Sequence, residues 1–110
     1  LTRFARDVTA ILSRVAPVYA IVRDTAKAEP EIASMWHGIL RDRYTNLEAV
    51  AQHLAELHSL REGLSVTQAT ETIWALSSPD MFLLLGEQRG YTNERFAAWL
   101  AEGLIRLLLG

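Results

Sequence analysis

Apolar residues recur along this chain at intervals of three and four, and almost nowhere at intervals of two. Leu1, Phe4, Val8, Ile11, Leu12 and Val15 fall on one face of a helix. Pro17 is expected to end or bend that helix and to sit in the first turn of a second, which carries Val18, Tyr19, Ile21, Val22 and Thr25 before "KAEP" closes it. Pro30 opens a third and longer segment to about His58, with Ile32, Met35, Trp36, Ile39, Leu40, Arg43, Leu47, Val50, Leu54 and Leu57 along a stripe. At 1.5 Å per residue it is roughly 42 Å long, although "YTN" at Tyr44 is a place for a bend.

The second half of the chain is punctuated more sharply. After the loop "SLREGL", Ser65 with Gln68 three residues on forms a capping box ahead of Ala69, Ile73, Trp74 and Leu76. Ser78, Pro79 and Asp80 supply an N-cap, a proline at the first helical position and an early acid, so a fifth helix runs through "MFLLLGEQR" to Gly90, weakened in its middle by Gly86. Thr92 caps the last helix, where Phe96, Trp99, Leu100, Gly103, Leu104, Leu107 and Leu108 make a continuous seam. The expected fold is therefore all-α, a six-helix bundle in one domain spanning residues 1–110, without repeats or low-complexity linkers.

Composition narrows what such a bundle does. Half of the 110 residues are hydrophobic, enough for a core, and 11 Lys and Arg against 13 Asp and Glu give a net charge of −2, so no global positive field marks a nucleic-acid binder. Arg3, Arg6 and Arg14 form a basic side on the first helix, read as a solvated face. The absence of cysteine excludes disulfides and thiolate chemistry and is compatible with a cytoplasmic protein. The longest apolar run, in "MFLLLG", falls far short of the ~20 residues of a membrane helix, so no membrane partner is expected. His37, His53 and His58 lack metal-ligand spacing, no nucleophile elbow or phosphate loop occurs, and no catalytic residue, metal or cofactor is assigned.

The run Met81 to Leu85 covers the circumference of its helix with apolar groups, more than one small domain has room to bury. Gly103, between Trp99 and Leu107, leaves space for another helix to approach. We therefore expect a homodimer in which the last two helices of each copy form an intersubunit four-helix bundle about a two-fold axis, with Phe82, Leu85, Trp99, Leu100, Gly103, Leu104 and Leu107 as contacts. The alternative is that both helices are internal to a single bundle.

The stretch "ATETIWALSSPDMFLLLGEQRGYTNERFAAWLAEGLIRLLL", Ala69 to Leu109, resembles the C-terminal end of TetR-family transcriptional regulators: a helix with a Trp-Ala-Leu core, a Ser-Pro helix, a Gly-aromatic turn, and a last helix with a Trp-Leu pair and a leucine-rich finish. Tyr91, Thr92 and Asn93 stand where such proteins often have Trp-Ser-Pro, so the cap is kept in chemistry and not in letters. The resemblance implies an effector-binding and dimerisation domain, with DNA contacted only through an N-terminal helix-turn-helix missing from this chain. It also implies a small hydrophobic effector among the helices. Tyr19, Trp36, Leu40, Tyr44 and Trp74 are the candidate contacts, of which Trp36, Leu40 and Tyr44 share a face of the long helix. Ordinary core packing is the competing role for these aromatics. His37 and Arg43 are read as solvent contacts, with a place at the pocket rim as the alternative. A dimerisation module with no small ligand is the alternative function.

Overall fold

The computed structural model describes all 110 residues and contains five helices and no sheet: α1 (Thr2–Ala26), α2 (Pro30–Glu56), α3 (Val66–Leu76), α4 (Pro79–Arg89) and α5 (Asn93–Leu108). The expected count of six fails at Pro17, which lies inside a continuous 25-residue α1. Proline removes one N–H and so frees the carbonyl four residues back. Here Ser13 and Pro17 are both exposed, so water can take the freed carbonyl, while Ala16 beside them is fully buried and holds the turn against the core. Tertiary packing on both sides of the proline keeps the helix whole.

The other boundaries follow from local chemistry. Pro30 starts α2, and both reciprocal bonds of the capping box form at α3, Gln68 N–H to Ser65 Oγ at 3.1 Å and Ser65 N–H to Gln68 Oε1 at 2.9 Å. Ser78 Oγ accepts from Met81 N–H and Thr92 Oγ1 from Arg95 N–H, capping α4 and α5. Gly90, at φ 70°, stops α4 in the left-handed conformation. At the end of α2 the same conformation falls to His58, φ 55°, with Ser59 N–H bonded to Leu54 O and His58 N–H to Ala55 O. This pair of bonds is a Schellman closure without its usual glycine.

Helix α1 is the hub, packing on α5, α2 and α4, while α3 bridges α2 and α5. Ala5, Leu12, Leu47, Ala51, Ala69, Ile73, Phe96, Leu100, Leu104 and Leu108 form one core. Each of the larger side chains contributes about 1.5–3 kcal/mol by leaving water. The C-terminus is tied to the α2–α3 loop by Arg61 N–H to Leu108 O and Gly110 N–H to Ser59 O. The chain is flat, 43 × 31 × 19 Å in its Cα positions, so only 16 residues are buried and eleven large hydrophobics stay exposed. No helix is long and apolar enough to cross a membrane.

Candidate functional site

Six of the eleven exposed large hydrophobics, Ile11, Val15, Val18, Ile21, Met35 and Ile39, belong to α1 and α2. The sequence pattern places the apolar excess in the last two helices instead. In α4, however, Met81, Phe82, Leu83 and Leu85 are half-buried and only Leu84 is exposed, because α4 lies against α1 as well as α5.

Between α1 and α2 runs an apolar groove in two connected parts. The first, about 360 Å³, has walls of Val8, Ile11, Leu12, Val15 and Tyr19 from α1 and Ile39, Arg43, Asn46 and Leu47 from α2, closed at one end by Ser77 and Pro79. The second, about 280 Å³, continues along Arg14, Val18, Val22 and Trp36 and shares Val15, Tyr19 and Ile39 with the first. Periodicity explains the lining: Ile11, Val15 and Val18 repeat along one edge of α1, and Trp36, Ile39 and Arg43 along the facing edge of α2. Tyr19 and Trp36 meet across the groove with ring centroids 4.6 Å apart.

The expected ligand set divides over two sides of α2. Tyr19 and Trp36 line the α1–α2 groove, whereas Leu40, Tyr44 and Trp74 border a separate, more open depression of about 320 Å³ between α2 and α3. A spacing of four advances 40° around a helix at each step, so Trp36, Leu40 and Tyr44 rotate from one neighbour toward the other.

Arg43 departs most from its expected place. Its guanidinium lies in the groove wall, where Nη2 donates to Trp74 O at 2.8 Å and to Ser77 Oγ at 3.2 Å, and its carbon stands 5.9 Å from the Trp74 ring centre. Burial lowers its pKa, partly offset by the Tyr19 hydroxyl and Asp80. The Tyr19 hydroxyl is pushed above its ordinary value by burial and then by Asp80, against the pull of Arg43 and Arg23. Asp80, at the N-terminus of α4, is paired with Arg23 of α1. At Arg23 burial works downward, but Asp80 and then Asp24 outweigh it and raise the group. The sequence favours solvent contact for Arg43, with the pocket rim as the alternative, because its polar character matches the solvated face of an isolated helix. Its spacing of four from Ile39, a groove residue, was the available signal.

The second region is an apolar band over α4 and α5. Phe82, Phe96 and Trp99 meet in series, the first pair edge to face and the second tilted, at 5.0 and 5.6 Å between ring centres. Leu85, Trp99 and Gly103 are half-buried and Leu107 is 46% exposed. Leu100 and Leu104, two of the expected contacts with a second copy, are fully buried in the chain's own core. Their helix packs on α1 and α3, so from the core they can support an interface only from beneath. A Cβ on Gly103 would sit 3.7 Å from Leu76 Cδ1, ordinary contact, so packing within the chain does not require glycine there. Arg3 and Asp7 approach to 3.9 Å on the basic side of α1, both exposed.

His37, His53 and His58 are exposed and separate, and no three His, Asp, Glu or Cys side chains come close enough to hold a metal. No protein family, curated protein or solved structure matches the chain.

Proposed function

We propose that this chain is a ligand-sensing and self-associating helical domain, of the kind that TetR-like regulators use to control a separate DNA-binding module. The observation that carries the reading is the α1–α2 groove, an apolar cleft of drug-sized volume with a small number of polar groups in its wall. A small hydrophobic effector seated there separates or draws together α1 and α2. Because α1 also packs on α4 and α5, that displacement reaches the band of Phe82, Leu85, Trp99, Gly103 and Leu107, the face assigned to a second copy. Effector and operator then act on one another reciprocally through the relative placement of the two copies. The resemblance of Ala69 to Leu109 to the family's C-terminal end supports the same reading.

A structural dimerisation module without a ligand is the second reading, favoured by the fact that the groove is open along its length and not an enclosed cavity. Two measurements on one preparation separate them. Sedimentation equilibrium is expected to give a dimer at micromolar concentration, and thermal unfolding is expected to shift upward with apolar ligands that fit the groove. A dimer indifferent to every ligand would leave only the second reading, and a stable monomer would remove both.

A further inference from the structure

Two guanidinium groups line the α1–α2 groove, Arg14 and Arg43; Arg14 is exposed to solvent, whereas Arg43 is half-buried and set among Leu12, Val15, Ile39 and Leu47. Its neighbours do not neutralise it. The two acceptors it reaches, Trp74 O and Ser77 Oγ, are uncharged and both are used by Nη2, while Nε and Nη1 have no acceptor within the chain. No carboxylate comes within 4.0 Å of its guanidinium, and Asp80, the acid whose field reaches it, is engaged with Arg23. A half-buried guanidinium keeps its proton. An apolar groove with such a group in its wall complements a molecule with a hydrophobic body and an anionic head, and guanidinium geometry matches a carboxylate through two parallel N–H donors.

We propose that the groove takes a small amphipathic carboxylate, an acyl or aryl acid, with its carboxylate on Arg43 beside the Tyr19 hydroxyl and its apolar body along Ile11, Val15 and Ile39. This rests on the groove being a ligand site at all, and it adds the chemical class. The Tyr19 hydroxyl is neutral at neutral pH, as an unperturbed phenol is, and can donate to a carboxylate oxygen. A neutral apolar molecule of the same shape would leave Nε and Nη1 of Arg43 without a charged partner, so the groove discriminates by head group and not only by size.

The test is calorimetric titration of the intact chain with decanoate, 1-decanol and decylamine, three probes sharing one tail. Decanoate is expected to bind at least tenfold more tightly than decanol, with decylamine weaker than both. The preference should fall in Arg43→Met and in Asn46→Glu, the latter placing a carboxylate in the same wall one turn from Arg43. Asn46 is exposed, so this variant retains the fold if Arg43→Met does not. Equal binding of decanoate and decanol, or a decanoate preference untouched by Asn46→Glu, overturns the acid assignment and leaves the groove a ligand site. Failure of all three probes to bind overturns the groove reading together with the acid assignment.

Discussion

Replacing Leu107 by Lys tests the assigned interface with least damage to the fold. Leu107 lies toward the end of α5 in register with Gly103 and Trp99 and keeps 46% of its surface in water in the single chain. Burying a leucine fully is worth about 1.5–3 kcal/mol, so covering the exposed half contributes about 0.7–1.4 kcal/mol per copy and about 1.5–3 kcal/mol for two. At 1.4 kcal/mol per decade, loss of that burial alone weakens a dimer about ten- to a hundred-fold, and an unpaired ammonium in the interface adds to the loss. In an isolated chain the substitution is at a solvent-facing site and should cost no more than about 0.5 kcal/mol, some 2 °C for a domain of this size. Analytical ultracentrifugation over a concentration series reads the first effect and monomer unfolding the second. Ile21→Lys, at an exposed α1 position away from the band, serves as the control and should leave association unchanged. Equal dimer affinity for wild type and Leu107→Lys would refute this use of the face, and an equal loss in the Ile21 variant would show that added charge, not position, is responsible.

Three further outcomes are expected. Pro17→Ala restores a donor to the interior of α1 and should stabilise the chain by up to about 3 kcal/mol, read as a higher denaturant midpoint with an unchanged slope; a lower midpoint would mean that the proline fits a distortion the core depends on. His58→Gly relieves a side chain held at φ 55° and should add about 0.5–1 kcal/mol, or about 2–4 °C in Tm by thermal unfolding; an unchanged or lower Tm would refute strain at this position. The raised Tyr19 pKa means the folded chain holds that proton more tightly than the unfolded one, so its contribution is complete below about pH 10 and is lost as pH rises through the folded value. Asp80→Asn should lower the Tyr19 titration midpoint, followed by ultraviolet difference spectra, since Asp80 is one of the two groups of effects holding it up; an unchanged or higher midpoint would contradict the assignment.

Helix ends were legible in the sequence because they are decided within one turn of chain. Ser65 with Gln68, Ser78 before Pro79, Thr92, Pro30 and Gly90 act through bonds or backbone preferences that need no distant partner, and each operates where the pattern of residues placed it. The all-helical class and the core positions Leu12, Leu47, Ile73 and Phe96 follow likewise from apolar spacing. What spacing cannot supply is the identity of the neighbour. Pro17 has the local chemistry of a break, yet α1 continues because packing before and after it outweighs one missing bond. Trp36, Leu40 and Tyr44 share a stripe, but its 40° drift at each step carries them toward different helices, and only the crossing of α1 and α3 over α2 separates their surroundings. The leucines of α5 look equivalent along the chain, whereas α1 and α3 cover Leu100 and Leu104 and leave Leu107 in water. Arg43 is a surface arginine by pattern and a half-buried one by structure, because Trp74 and Ser77, more than thirty residues away, come to meet its guanidinium.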